Sequence, residues 1–250
     1  MVLKMQMLMQ KYRGAVRKTA NYFKKAGIRK AVFGLSAGLD STITALLLID
    51  ALGKDNVFAL IMPSRHTKKR DIKDAIEFCE KQGISYKVCK IDKIVKEIES
   101  TGLAKTRLAK ANIAARVRMI LLYCYANSNN ALVAGTGNKT ELTLGYFTKY
   151  GDGAADIFPI ASFYKTELFE LAKLLGVPEK IIRKRPSAGL WKGQYDEKEL
   201  GLSYREIDPI LKLIEEKVSE KEIIKRFPKT KRVLELVKAN AHKRKQVIIS

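Results

Sequence analysis

Four short apolar runs, each separated from the next by a segment long enough to form a helix, constrain the fold of this chain most strongly. The runs lie at residues 31–35, 57–62, 86–91 and 131–134, and each is predicted to be a β-strand. Strands joined by helix-length connections imply crossovers, and therefore a parallel sheet with helices on both faces. The pattern predicts one doubly wound α/β domain over residues 1–250, with extra helices at the C-terminal end.

The segments between and after these runs are predicted to be helices. Amphipathic or strongly apolar patterns lie at residues 42–52, 71–81, 103–126 and 162–175. Gly53, Gly83 and Gly176 follow three of these segments, as is typical of helix C-termini. Pro178 is well placed to begin the next helix, and the chain is predicted to be helical again beyond Ser203.

The composition is typical of a globular protein and argues against a membrane-spanning one. Hydrophobic residues make up 46% and charged residues 30%, and no apolar run approaches the roughly 20 residues that cross a bilayer. Residues 1–14 lack the continuous apolar segment of a signal peptide, so we expect a protein of the cytoplasm. Cys79, Cys89 and Cys124 form no CxxC pair, and reduced cysteines are therefore expected rather than a structural zinc site.

The net charge of +22 does not identify a partner by itself. Nucleic acid, polyanionic small substrates and a Lys- and Glu-rich surface of the heat-adapted kind are all compatible with it. Charge alone therefore decides no function.

The loop after the first predicted strand has the features of a phosphate-binding loop. In the stretch AVFGLSAGLDST, Gly34 and Gly38 permit close backbone approach, and a following helix directs its free N–H groups at a bound anion. Asp40 is unexpected there, because a carboxylate beside a triphosphate is repelled unless a cation lies between them, and Mg²⁺ is the natural bridge. The residues alone also allow an ordinary strand-to-helix turn in which Asp40 caps the helix.

A second loop rich in Gly, Thr and Asn follows the fourth predicted strand, with the sequence GTGNKTE at residues 135–141. In open parallel sheets, ligands bind outside the carboxyl ends of the strands where the strand order reverses. The two loops are therefore expected to converge on one crevice.

The loop sequence SAGLDS resembles the S-G-G-x-D-S loop of the N-type ATP pyrophosphatases, which split ATP to AMP and pyrophosphate while adenylating an acceptor. Residues 135–204 resemble the NAD synthetases in particular, as do NIAARVRM at residues 112–119 and AHKR at residues 241–244. The resemblance implies an adenine nucleotide alpha hydrolase-like fold. Members that use glutamine carry an additional nitrilase-like domain, for which 250 residues leave no room, so the ammonia-dependent form is expected.

The resemblance implies a ligase that amidates deamido-NAD (nicotinic acid adenine dinucleotide) in two steps. ATP adenylates the nicotinate carboxylate and releases pyrophosphate, and ammonia then displaces AMP to leave the amide of NAD. This chemistry demands mainly charge neutralisation and the alignment of two anions, so no nucleophilic side chain is required. The family also implies a homodimer with substrate bound across the subunit interface, and neither a membrane nor nucleic acid is an expected partner.

The positions that match the family motifs also imply site residues. Asp40 and Glu141 would share Mg²⁺, and Asp40 and Lys165 would be the catalytic residues. ATP would be held by Gly34, Leu35, Ser36, Ala37, Gly38, Leu39, Asp40, Ser41, Thr136, Lys165 and Ser187. Deamido-NAD would be held by Arg116, Lys149, Asp156, His242 and Lys243.

Two positions and two other functions stay open at this point. Ala37 replaces the second glycine of the usual loop, and it would be strained if the position required a positive φ. Trp191 is either a core anchor, which is the preferred interpretation, or a shield of the adenylate against water. The alternative functions are a tRNA-modifying ATP pyrophosphatase that adenylates a base and a nucleotide-binding module without turnover.

Overall fold

A computed structural model describes residues 2–191 and 193–244. Its sheet has the strand order β3-β2-β1-β4, and the strands are β1 Lys30–Gly34, β2 Val57–Ile61, β3 Ser85–Val88 and β4 Ala131–Ala134. The α-helices are α1 Val2–Ala26, α2 Leu39–Leu52, α3 Lys69–Gln82, α4 Asp92–Ser100, α5 Arg107–Asn129, α6 Lys139–Leu144, α7 Lys165–Leu174, α8 Glu179–Ile182, α9 Asp196–Leu200, α10 Tyr204–Glu215, α11 Glu220–Arg226, α12 Thr230–Ala239 and α13 Ala241–Arg244.

The strand order confirms the predicted doubly wound topology. β1 pairs in parallel with β2 on one side and with β4 on the other, and β3 pairs with β2. The chain therefore moves outwards from β1 to β3 and then returns to the opposite side of β1. The carboxyl ends of β1 and β4 flank the point where the strand order reverses, which is where a ligand is expected.

Alternating side chains along the strands divide the core between the two faces of the sheet. Ala31 and Phe33 of β1 pack in a cluster with Leu48 of α2 and Phe78 of α3. Val32 points the other way, into a cluster formed mainly with α5. Helices therefore cover both faces, as the strand spacing predicts.

Four helices, α1, α4, α6 and α9, have no counterpart among the predicted elements. The buried positions of α1 follow a helical spacing but include the polar Thr19 between Tyr12, Ala15 and Phe23, which weakens the apolar pattern. α5 begins at Arg107 rather than at residue 103, because the Thr106 side chain caps the helix by accepting from the backbone N–H of Ala109. Side-chain capping, rather than apolar periodicity, fixes this boundary.

The C-terminal helices form a separate cluster beside the sheet rather than adding to it. Leu144 of α6, Ile207 of α10 and Val233 of α12 are buried against one another. These helices bring the C-terminal motif back to the loop that follows α6. Within residues 2–191 and 193–244, no helix has both the length and the apolar character that a bilayer crossing requires.

Candidate active site

Two loops meet at the carboxyl end of the sheet, as the topology predicts. The loop after β1 leads from Gly34 into α2, and the loop after β4 leads from Ala134 into α6. The side-chain amide of Asn138 donates through Nδ2 to Oδ1 of Asp40 at 2.8 Å, so a direct hydrogen bond joins the two loops. The crevice between β1 and β4 therefore carries both sequence motifs.

The loop after β1 folds around its own hydroxyl groups. The Oγ atoms of Ser36 and Ser41 lie 3.1 Å apart, and the backbone N–H of Gly38 donates to Oγ of Ser36 at 3.2 Å. Gly38 is the N-cap of α2, and no side chain caps this helix. Leu35 and Leu39 are buried and anchor the loop on both sides. The first turn of α2 thus presents backbone N–H groups suited to an anion.

Ala37 adopts the conformation that the sequence left open. Its φ is 52°, in the left-handed region, so this position does require a positive φ and the alanine is strained. The methyl group is fully buried and belongs to the core cluster of the sheet. The carbonyl oxygen of Ala37 accepts a hydrogen bond from Nζ of Lys184 at 3.0 Å.

Lys165 lies at the centre of the site and is almost completely buried. It is the first residue of α7, and its side chain is 3% exposed. Its Nζ contacts Oδ2 of Asp40 at 2.5 Å and Oε1 of Glu141 at 3.3 Å. Glu141 is held in turn by a capping box with Asn138 at the start of α6. Three of the expected site residues therefore meet at one ammonium group.

Burial and neighbouring charges shift the pKa values of this cluster. Burial alone would lower the pKa of Lys165, but the surrounding carboxylates, Asp40 first, outweigh it and raise that pKa, so the lysine stays charged. Burial and the charge of Asp40 raise the pKa of Glu141 despite the opposing effect of Lys165. Burial also raises the pKa of Asp196, whose Oδ2 accepts from the Tyr204 hydroxyl at 2.9 Å. Three carboxyl groups thus face one ammonium group, an arrangement that favours additional positive charge.

The ability of this cluster to hold a metal depends on two carboxylates. Across the described ranges 2–191 and 193–244, no group of three or more His, Cys, Asp or Glu side chains is arranged to hold a metal ion. Oδ2 of Asp40 and Oε1 of Glu141 nevertheless lie within 3.3 Å of a common point, the Nζ of Lys165. Mg²⁺ needs only one or two carboxylates when phosphate oxygens complete its shell.

Three residues expected to hold deamido-NAD lie together beside the loop that follows α6. Nζ of Lys149 donates to the carbonyl oxygen of His242 at 2.8 Å. Nζ of Lys243 donates to the carbonyl oxygens of Gly145 and Phe147 at 2.8 and 3.0 Å, and burial lowers its pKa. In this conformation both lysines bind the protein's own backbone, which fastens the C-terminal motif to the loop.

The other two residues expected to hold deamido-NAD have different surroundings. Arg116 is exposed on α5, one turn from Asn112, whose Oδ1 accepts from the Thr148 hydroxyl at 2.8 Å. This bond places the Lys149 loop against α5. Asp156 accepts from a backbone N–H of β4 at 2.7 Å and from the Tyr123 hydroxyl at 3.2 Å. The carboxylate of Asp156 is therefore tied to β4 and α5.

Thr136, Ser187 and Trp191 have fewer contacts than the residues around Lys165. Thr136 is partly buried in the loop after β4. Ser187 is exposed after α8, and its Oγ accepts from the backbone N–H of Gly189 at 3.1 Å. Trp191 is partly buried, and the guanidinium carbon of Arg107 lies 4.5 Å from its ring centroid. A guanidinium at this distance from the ring attaches Trp191 to the start of α5.

Three residues of the site were not predicted from the sequence. Asn138 could have been found from the sequence, because N-K-T-E at residues 138–141 is the pattern of a capping box. No local sequence pattern points to Asp196, since only the tertiary fold brings it towards Lys165 from a distant segment. Lys184 was one among 48 Lys and Arg residues, and its contact with Ala37 cannot be read from spacing.

Comparisons with known proteins identify the family to which this chain is similar. The family described as NAD synthase matches residues 12–247. The NH(3)-dependent NAD(+) synthetase of Archaeoglobus fulgidus is 50% identical over 88% of this chain and 87% of that protein. Two solved structures are similar over nearly their whole length. NMN synthetase from Francisella tularensis has 36% identity and a TM-score of 0.86, covering 97% of this chain and 98% of that one. NH3-dependent NAD synthetase from Campylobacter jejuni has 34% identity and a TM-score of 0.79, covering 98% and 99%.

Proposed function

The chain belongs to the NAD synthase family, and we propose that it is an ammonia-dependent ligase that converts deamido-NAD to NAD with ATP as the activating substrate. ATP adenylates the nicotinate carboxylate and releases pyrophosphate, and ammonia displaces AMP from the adenylate. The observation that carries this proposal is the buried contact of Lys165 with Asp40 and Glu141 beside the phosphate-binding loop. That arrangement collects fixed charges where two anions must meet.

The phosphates of ATP are proposed to lie on the loop from Gly34 to Ser41. The N-terminus of α2 supports this placement, because its backbone N–H groups and helix dipole attract anions. Lys165 contributes a permanent positive charge to the same place. Thr136 and Ser187 are proposed to contact the rest of the ATP molecule.

Asp40 and Glu141 are proposed to hold Mg²⁺ together with the phosphates of ATP. The donor set fits this ion, since it consists of hard carboxylate oxygens within reach of one common point. The bound ion supplies positive charge that allows a triphosphate to approach two carboxylates. Asn138 keeps both carboxylates in place, because it bonds to Asp40 and forms the capping box with Glu141.

The residues of this chain contribute alignment and charge rather than a nucleophile. Lys165 neutralises the negative charge that develops around the α-phosphate when the nicotinate carboxylate attacks. Arg116, Lys149 and Lys243 are proposed to bind the phosphates of deamido-NAD, with His242 and Asp156 completing its site. For that, Lys149 and Lys243 exchange their present bonds to backbone carbonyls for bonds to the phosphates of the substrate. These bonds are stronger because both partners are charged.

A homodimer is proposed on the exposed apolar side of α4 and α5. Ile98 of α4, Leu103 in the connection that follows it, and Leu108 and Ile120 of α5 are large apolar side chains exposed to solvent. Arg116 lies between the last two at helical spacing, so a partner on this face would meet the deamido-NAD site. Light scattering of the purified protein tests this: a dimer is expected, and an Ile120→Glu variant should dissociate and bind deamido-NAD more weakly.

The whole chain, residues 1–250, is proposed to act as one domain in the cytoplasm. The C-terminal helices support the first point, because Ile207 and Val233 pack on Leu144 of α6, next to the site. The free thiols of Cys79, Cys89 and Cys124 support the second, since they suit a reducing compartment.

Product analysis tests the proposed reaction directly. Protein incubated with ATP, MgCl₂, deamido-NAD and ammonium chloride should form NAD, AMP and pyrophosphate in equal amounts. Without ammonium, pyrophosphate–ATP exchange should persist while no NAD appears, because adenylation precedes amidation. Formation of ADP and phosphate would refute adenylation.

A mononucleotide substrate is the second candidate, because one of the similar structures is an NMN synthetase. The same chemistry would then amidate nicotinic acid mononucleotide. Comparing kcat/KM for the dinucleotide and the mononucleotide decides between them, and we expect the dinucleotide to be preferred. The tRNA-modifying alternative is not favoured, since the relatives that match nearly the full chain are NAD synthetases.

A further inference from the structure

Lys184 connects the phosphate-binding loop to two other parts of the molecule. It lies two residues beyond the end of α8, and its Nζ donates to the carbonyl oxygen of Ala37 at 3.0 Å. The same Nζ lies 2.9 Å from Oδ1 of Asp71 in α3. Ser187, which is proposed to contact ATP, comes three residues later in the same segment. One ammonium group thus joins the loop, α3 and the segment that carries Ser187.

The pairing of Lys184 with α3 is part of a regular arrangement. Asp71, Asp74 and Glu77 are spaced by three residues along α3, and they face lysines of the α8 segment. Lys180 contacts Asp74 at 2.6 Å and Glu77 at 2.7 Å, whereas Lys184 contacts Asp71. Lys180 therefore attaches α8 to α3 in the same way as Lys184. Lys184 differs from it by its additional bond to the phosphate-binding loop.

That additional bond acts on a strained peptide. Ala37 has a φ of 52°, and an alanine keeps such a conformation only where its surroundings hold it there. In a trans peptide, the carbonyl of Ala37 and the N–H of Gly38 point in opposite directions. Holding the carbonyl towards Lys184 therefore keeps the Gly38 N–H turned towards Oγ of Ser36, to which it donates at 3.2 Å.

We propose that Lys184 is a positioning residue for ATP binding: it holds the Ala37–Gly38 peptide in the orientation that gives the loop its shape, so that the first turn of α2 presents its backbone N–H groups to the phosphates. Lys184 acts through the backbone and does not itself contact the reacting atoms. This inference rests on the proposed function only for the identity of the anion. The geometry predicts that any phosphate chain bound on this loop depends on Lys184.

Three variants separate positioning from simple attachment of α8. Lys184→Met removes the bond to Ala37 and the pair with Asp71, Lys184→Arg keeps a donor, and Lys180→Met is the matched control, because Lys180 pairs with α3 but not with the loop. The Kd for magnesium α,β-methylene-ATP, which cannot be cleaved between its α- and β-phosphates, is measured by calorimetry. Lys184→Met should weaken binding about tenfold, the effect of losing one charge-assisted hydrogen bond. Lys184→Arg should recover most of this loss, and Lys180→Met should bind as the parent does.

A second variant tests the strained peptide itself. Glycine adopts a positive φ without strain, so the loop of an Ala37→Gly variant depends less on Lys184. Lys184→Met combined with Ala37→Gly should therefore lose only about threefold in ATP-analogue affinity relative to Ala37→Gly alone, a partial coupling of the two sites. The Kd for deamido-NAD should stay unchanged in all of these variants.

The inference is overturned if Lys184→Met binds the ATP analogue as tightly as Lys180→Met does. It is equally overturned if arginine fails to restore binding, or if the loss is the same with alanine and with glycine at position 37. These outcomes are independent of the amidation reaction. A parent protein that binds the analogue but makes no NAD would instead contradict the proposed function.

Discussion

Replacing Lys165 by methionine should destabilise the protein strongly at mildly alkaline pH, and Mg²⁺ should restore part of the loss. The ammonium group of Lys165 now lies 2.5 Å from Asp40 and 3.3 Å from Glu141. Methionine is similar in length but carries no charge, so these two carboxyl groups, with Asp196 nearby, would face each other without a cation between them. Removing one partner of a buried ion pair costs about 3–5 kcal/mol. Because Asp40 and Glu141 are 19% and 17% exposed, water screens part of their repulsion, and the lower end of this range, about 3 kcal/mol, is expected.

The loss should depend on pH in a defined direction. The pKa of Glu141 is already raised by burial and by Asp40, and it rises further when the opposing charge of Lys165 is removed. A carboxyl whose folded pKa exceeds the unfolded one destabilises the protein increasingly as pH rises from the unfolded pKa to the folded pKa. With Lys165 in place the pKa of Glu141 is about 8, so the variant should lose about 3 kcal/mol only above about pH 9 and clearly less near pH 6, where Glu141 is protonated.

Urea unfolding followed by circular dichroism, with and without MgCl₂, measures both effects. At a Mg²⁺ concentration of about ten times its Kd, linkage restores about 1.4 kcal/mol to a variant whose two carboxylates no longer bind an ammonium group. Lys139→Met is the control, because the Lys139–Glu215 pair is 25% and 56% exposed and should contribute less than about 1 kcal/mol. The reasoning is refuted if Lys165→Met loses no more than Lys139→Met, or if Mg²⁺ stabilises the parent protein equally.

Three further predictions concern single side chains. Asp40→Asn should reduce NAD formation by about a hundredfold or more while the circular dichroism spectrum is retained, and near-normal turnover would reject its role in holding the metal. Thr44→Val should raise the free energy of unfolding by about 1 kcal/mol, because Oγ1 of Thr44 is buried without a hydrogen-bond partner in the described part of the chain; a loss of stability would contradict this. Burial raises the pKa of Tyr204 well above its usual value, so the folded protein keeps a proton that the unfolded chain releases above about pH 10, and stability should fall as pH rises beyond that point. Tyr204→Phe should make this fall shallower in urea titrations at several pH values, and an unchanged slope would count against the assignment.

The sequence predicts most of the fold because the spacing of the strands indicates crossover connections and therefore a parallel sheet. The buried runs of β1, β2 and β4 are short, apolar and separated by helix-length segments, and these features are local. β3 is an exposed edge strand, and its bounds, Ser85–Val88, differ from the predicted 86–91 because few of its side chains need to be apolar. The polar residue Thr19 interrupts the apolar pattern of α1, so the pattern does not predict this helix. The burial of α1 depends on contacts with α2 and α7.

The site could be predicted only where chemistry and local structure coincide. Asp40 stands out because a carboxylate in an anion-binding loop needs a cation nearby, and the structure does place an ammonium group on it. Its partner Lys165 comes from a segment 125 residues away, so only the resemblance to known proteins could name it. Asp196 is a further case, because no local pattern distinguishes a buried acid near Lys165 from a surface acid in a short helix.

Two interactions stabilise the left-handed conformation of Ala37 in the phosphate-binding loop. The left-handed conformation costs an alanine roughly 1–2 kcal/mol, whereas burying one methyl group returns about 0.8 kcal/mol. The methyl group of Ala37 is completely buried in the core cluster, so part of the strain is offset by packing. The hydrogen bond from Lys184 to the Ala37 carbonyl contributes on the same side. Because a glycine would adopt a φ of 52° without strain, the buried methyl group and the bond from Lys184 are what this loop adds to hold that conformation.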